Sequence, residues 1–138
     1  MHIHQIDNRL CFIGTILVEG DVSVEKKKWI TVLEAPEYRK IGGLVKRLVH
    51  PMTTGSKNLG VSICILNPGE EIIVHQHDFE EAYFVMEGEG VMTLEDEEIQ
   101  LEEFLSVYIP ANARHGQKNT GNRPLLILCS LAPPPEVW

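Results

Sequence analysis

The chain is poor in positive charge, in cysteine and in long apolar runs. Twelve Lys and Arg stand against twenty Asp and Glu, a formal net charge of −8. Phosphate backbones and anionic lipid surfaces both select basic faces, so this balance argues against nucleic acid and against membrane docking. No apolar run approaches the roughly 20 residues that cross a bilayer. The opening Met1-His2-Ile3-His4 lacks the basic-then-apolar build of a signal peptide, and a cytoplasmic location is the expectation. Three cysteines, Cys11, Cys64 and Cys129, are too few and too scattered for a disulfide framework. Cys64 and Cys129 lie inside apolar runs and read as buried, reduced thiols. Helical periodicity is scarce as well. Residues 22–29 and 35–40 have room for a helical turn or two, and there is no helix-turn-helix pattern, internal repeat or low-complexity tract.

What is present is a series of short apolar runs broken by turn residues. The 138 residues, 43% of them hydrophobic, suit one domain with a real core. Asn67-Pro68-Gly69, Glu87-Gly88-Glu89-Gly90 and Asn119-Thr120-Gly121-Asn122 each supply turn chemistry. Strands are expected over 11–18, 28–33, 42–49, 59–66, 71–77, 82–87, 90–94, 98–100, 105–109, 114–118 and 124–131. Many short strands at this spacing predict an all-β sandwich or barrel. Residues 1–40 carry less pattern and read as an arm that adds strands to a barrel over about 41–132, or to a partner subunit. The tail over 133–138 starts with three prolines that cannot donate to a ladder, so it should run extended, with Trp138 at its end.

One stretch concentrates metal-ligating side chains. On a strand, residues two apart share a face, so His75 and His77 point the same way with Gln76 opposite. Two imidazoles on one face near a strand end can grip one ion. A carboxylate after a short bend can join them. Glu80 and Glu81 compete for that role, and Glu81 keeps parity with Tyr83 and Val85 on the next strand. A further ligand has to come from elsewhere, and His115 is the candidate, placed after Ile109-Pro110 at the start of a new strand. His2, His4 and His50 stand alone and read as surface or packed residues.

These residues resemble a known family. Gly69, His75-x-His77, Glu81 and Gly88 reproduce the first cupin motif at its full spacing, and Pro110, His115 and Asn119 match the second. The resemblance covers roughly residues 58 to 131. It implies a double-stranded β-helix (jelly-roll barrel), often a homodimer. It also implies that His75, His77, Glu81 and His115 ligate one ion. Two positions depart from the pattern: Phe104 and Asn112 stand where the second motif usually carries glycine. Asn tolerates the left-handed conformation, so that turn should survive, whereas Phe104 should alter the hairpin before Pro110. Three imidazoles and one carboxylate suit a divalent Mn, Fe, Ni, Co or Zn ion.

Strict alternation predicts the pocket around that ion. Ile73 and Glu71 should share the face of His75, Tyr83 and Val85 that of Glu81, and Gln117 that of His115. The result is a mostly apolar pocket with Tyr83 and Gln117 as polar handles, suited to a small-molecule ligand. Arg47 has a chance of reaching the mouth to pair a carboxylate, while Arg114 and Lys57 read as surface charge. Resemblance offers a metalloenzyme of the decarboxylase, dioxygenase or isomerase class, acting on a small carboxylate, keto or enediol compound. A non-catalytic binding module and a storage barrel are the other readings.

Overall fold

The computed structural model describes residues 26–136, and these contain ten strands and no helix. The strands are β1 (Glu37–Tyr38), β2 (Leu44–Val49), β3 (Gly60–Leu66), β4 (Glu71–His75), β5 (Glu80–Glu87), β6 (Gly90–Leu94), β7 (Glu97–Leu101), β8 (Ser106–Ile109), β9 (His115–Asn119) and β10 (Leu125–Ala132). They form a six-stranded sheet of order β1-β2-β3-β10-β5-β8 and a four-stranded sheet of order β4-β9-β6-β7. Every pairing within these sheets is antiparallel. The chain passes from one sheet to the other at β3–β4, β4–β5, β5–β6, β7–β8, β8–β9 and β9–β10, which is the winding of a double-stranded β-helix.

Alternation explains the core. β10 alternates buried and partly exposed residues along its length, with Leu125, Ile127, Cys129 and Leu131 inward. Leu125, Ile127 and Cys129 meet Ile72, Met92 and Leu101 from the four-stranded sheet, so one apolar core lies between the sheets. The turns follow the sequence signals. Gly88 takes a φ of 87°, and a Cβ there would lie 2.5 Å from the Pro124 carbonyl oxygen, so no other residue fits between the β5 and β10 ends. Asn119 is buried and pins the β9–β10 turn by donating from Nδ2 to the carbonyls of Leu66 and Arg123, while its Oδ1 accepts from the Gly121 N–H.

Several expectations need correction. Residues 28–33 form no strand. Instead Thr31 and Glu34 make a capping-box turn, in which the Glu34 carboxylate accepts from the Thr31 N–H and hydroxyl. Residues 35–40 are not helical, and Glu37–Tyr38 add a short strand to β2. The expected strand over 11–18, together with His2, His4, Cys11 and Trp138, lies outside the described residues. The start of the tail does pack on the barrel: Pro134 is buried and the Pro135 carbonyl accepts from His50 Nε2 at 2.8 Å. His50 Nδ1 accepts from the Met52 N–H, so this buried histidine is a structural pin. Phe104 adopts a backbone conformation rare for a side chain of its size. With φ of 71° it takes the left-handed conformation that glycine would supply, as does Asn112 at 66°. No helix of the described residues is long and apolar enough to cross a membrane.

Candidate metal centre

His75 ends β4, His77 follows in the bend to β5, Glu81 is on β5 and His115 opens β9. Both sheets therefore contribute. His75 and His115 are register partners across the β4–β9 pair. The loop before β9 is tied at both ends. Asn112 N–H donates to the His77 carbonyl at 2.6 Å, and Ala113 N–H to the Pro110 carbonyl. On the far side, the Glu95 carboxylate accepts from the Arg114 N–H while the Arg114 carbonyl accepts from the Glu95 N–H. The hairpin between β6 and β7 thus anchors the residue beside His115. Arg114 itself points outward and is exposed.

The three imidazoles are set in one tautomer. Nδ1 of His75, His77 and His115 lies 2.9 Å from the carbonyls of Ile73, Phe79 and Ala113 respectively. A carbonyl only accepts, so each Nδ1 carries the proton and each neutral ring turns an Nε2 lone pair the other way. One ligand atom from each ring falls within 4.8 Å of the other two. Phe79 is buried and stacks on the His77 ring at 3.8 Å and 4°, which fixes its plane.

Glu81 closes the group. Its Oε2 lies 2.8 Å from His77 Nε2 and 3.4 Å from His115 Nε2. Two lone-pair atoms at 2.8 Å repel unless a proton or a metal cation lies between them. His115 Nε2 is fully buried and makes no hydrogen bond among the described residues. A buried nitrogen in this state costs free energy unless something binds it. Burial pushes the Glu81 carboxyl up, but with protons on the facing imidazole nitrogens, contact with His115 and His77 outweighs that and holds it below its ordinary value. Burial also pushes the His75 imidazole down, although its bond to the Ile73 carbonyl opposes this. A charged carboxylate and neutral imidazoles are the forms that bind metal, so the residues fit a divalent ion. Glu80, the competitor in sequence, is exposed and accepts from the Tyr108 hydroxyl.

A small, mostly apolar cavity of about 30 Å³ adjoins the group and is lined by His75, His77 and Glu81. Tyr83 and Gln117 line it. Val85 is fully buried but belongs to the core behind. Ile73 is half exposed and faces an outer groove, and Glu71 is exposed. Ile72 lines the cavity in their place. The cause is a β-bulge: Ile72 pairs with Gln117 and His75 with His115, so three steps on β4 match two on β9. The extra residue inverts the alternation ahead of His75. Arg47 is partly buried but does not line the cavity. Its guanidinium lies 4.7 Å from the centre of the Tyr38 ring, which does. Lys57 is exposed. Alternation along β3 and β10 had placed Cys64 and Cys129 indoors without saying that both reach the cavity wall.

Known proteins place this architecture. A family model described as "Cupin domain" matches residues 62–131. An uncharacterized protein of Methanocaldococcus jannaschii is 34% identical over 100 residues, spanning 72% of this chain and 80% of the relative. The tetracenomycin polyketide synthase protein TcmJ of Streptomyces glaucescens is 32% identical over 124 residues, spanning 86% of this chain and 83% of the relative. The crystal structure of TT1209 from Thermus thermophilus superposes with a TM-score of 0.64 at 25% identity, covering 79% of this chain and 100% of that one. The family match and the fold agree with the residues that carried the resemblance, and the chain belongs to the cupin family.

Proposed function

We propose that this chain is a divalent-metal-dependent enzyme acting on a small carboxylate, keto or enediol compound, with His75, His77, Glu81 and His115 holding the ion. The observation that carries this reading is the orphaned, buried Nε2 of His115, aligned with two further Nε2 lone pairs and one carboxylate beside an apolar cavity. When bound, a manganese, iron, nickel, cobalt or zinc ion supplies a Lewis acid that polarises a ligand oxygen. The chain supplies the rest. The carbonyls of Ile73, Phe79 and Ala113 keep the rings oriented, as outer partners of metal-binding histidines do. Ile72 and Leu131 give the cavity apolar lining from both sheets, and Tyr83 and Gln117 offer hydrogen bonds. The relative named for polyketide synthesis supports keto and enol chemistry within this class.

A second reading, a metal and small-ligand binding module without turnover, is favoured by one observation. Among the described lining residues Glu81 is the only carboxylate, and as a ligand it is a poor free base. The proposal includes a homodimer, supported by the exposed Phe84, Met86 and Tyr108 on the outer face of β5 and β8; sedimentation velocity distinguishes one copy from two. The first test is metal content of untagged protein beside a His75→Ala, His77→Ala double variant. About one equivalent in the wild type and none in the variant is the expected result. A wild type that stays empty after reconstitution with each ion ends the metal reading. Turnover of small keto and enol compounds by the loaded protein then separates enzyme from binding module.

A further inference from the structure

Charge is distributed unevenly along this acidic chain. Residues 26–58 carry eight Lys and Arg against two Asp and Glu, whereas residues 59–136 carry three against fourteen. The first segment supplies β1 and β2 at one end of the six-stranded sheet. The acidic remainder supplies β5 towards the other end and all of the four-stranded sheet. Both acids of the basic segment are engaged. The Glu34 carboxylate accepts from the Thr31 N–H and hydroxyl, and Glu37 pairs with Arg39 and Lys46. Lys27, Lys28 and Lys57 are exposed, and no carboxylate of the described residues forms an ion pair with them.

Large apolar side chains stand among these lysines. Trp29 is 72% exposed, Leu33 91% and Met52 60%. Trp29 shares one surface groove with Lys26, Lys27 and Lys28. Lys26 donates from Nζ to the Pro51 carbonyl, which ties that groove to the turn carrying Met52. Apolar groups held in water cost free energy that a partner covering them recovers. Tryptophan is also the side chain most often found at the energetic centre of an interface, with charged groups around its rim. Lysine heads interleaved with apolar groups match carboxylates interleaved with apolar groups. A duplex or an anionic bilayer fits less well. Its continuous negative charge meets the acidic remainder of a chain whose net charge is −8, and the exposed arginine of the segment, Arg39, is engaged by Glu37.

We propose that the face formed by Lys26, Lys27, Lys28, Trp29 and Met52 docks an acidic polypeptide segment of another protein, one that carries an exposed apolar side chain. Trp29 is the anchor that the apolar side chain covers. The lysines steer the acidic segment in and pair with its carboxylates at the rim. This surface is separate from the metal group and does not depend on it.

The test uses full-length protein and a short labelled peptide in which Glu alternates with Phe, beside the same peptide with Gln in place of Glu. Fluorescence anisotropy gives each dissociation constant. The Glu peptide is expected to bind at least about tenfold more tightly than the Gln peptide, with the advantage shrinking as salt is raised. Trp29→Ala is expected to weaken the Glu peptide about tenfold, as loss of an aromatic anchor does. Lys28→Glu should weaken it at least about threefold, while Lys118→Glu, an equal charge change at an exposed site outside this face, should shift it less than about twofold. The wild-type comparison of the two peptides requires no variant and stands even if one fails to fold. Equal binding of both peptides overturns the proposal, as does a dissociation constant for the Glu peptide weaker than about 1 mM or an equal loss from Lys28→Glu and Lys118→Glu. Tighter binding to phosphatidylserine–phosphatidylcholine vesicles than to the Glu peptide assigns the face to a lipid surface and overturns it too. Sedimentation velocity in which Trp29→Ala breaks up an assembly of this chain assigns the face to a second copy, with the same consequence.

Discussion

At the scale of single residues, the histidines owe their readiness for metal to the backbone. Each Nδ1 is occupied by a carbonyl two residues away in sequence, so tautomer and ring plane are set locally before any ion arrives. The same groups predict how the metal-free protein responds to acid. Burial holds His75 below the ordinary imidazole value of 6.5, and burial likewise lowers His50. As pH falls through 6.5 the unfolded chain takes up protons first, so stability drops until the folded imidazoles also protonate. Glu81 acts in the same direction. Burial favours its protonation, but His115 and His77 hold it below the ordinary 4.5. Its contribution is present above 4.5 and is lost as pH falls through the lower folded value. Urea midpoints of chelator-treated protein should therefore decline between pH 7.5 and 5.5 and again below 4.5. His75→Ala should flatten part of the first decline. A midpoint that is level or rises with acid contradicts this account.

At the scale of elements, the β4–β9 pair with its bulge decides where His75 points. Gly116 stands at the closest approach of these strands. A Cβ there would lie 2.8 Å from the Ile72 carbonyl oxygen and 2.9 Å from the Val74 nitrogen, both backbone atoms that cannot turn aside. Gly116→Ala should displace β4, cost about 1–3 kcal/mol as overpacking does, and weaken metal retention by parting His75 from His115. Gly121→Ala is the matched control, because its Cβ would meet the flexible side chain of Glu89. Denaturant unfolding and metal content of the two variants check this. Equal behaviour of both would show that the bulge does not set the site.

At the scale of the whole molecule, the candidate ligands tie two sheets together. His75 and His115 belong to the four-stranded sheet and Glu81 to the six-stranded one. An ion bound only by the folded barrel stabilises it by mass action, by about 2.7 kcal/mol when free metal is a hundredfold above its dissociation constant. Chelation should lower the thermal midpoint by several degrees, and re-addition should restore it. The His75→Ala, His77→Ala variant should show neither change. A midpoint indifferent to chelator in protein proven to hold metal would place the ion outside the cooperative unit.

Much of this molecule was legible before folding. Turn residues and alternation located the strands from β2 to β10 within a few residues, because local backbone chemistry and a one-sided core write those signals directly. The spacing of His75, His77, Glu81 and His115 named the group that the barrel brings together. Three things were not read from the sequence, two of them set by contacts between distant segments and one by a local cap. A bulge is a mismatch between two strands and leaves no mark in either, so the exchange of Ile73 for Ile72 at the cavity wall could not be read from β4 alone. The segment over 28–33 had the apolar content of a strand, but the Thr31–Glu34 cap closed it into a turn. Phe104 lacks the freedom of glycine yet holds φ of 71°, because its N–H donates to the Val85 carbonyl across the sheet. Sequence by itself named four side chains of metal-ligating type at or near strand ends. The packing of two sheets decided which side chains share the cavity with them, since that depends on register between segments far apart in the chain.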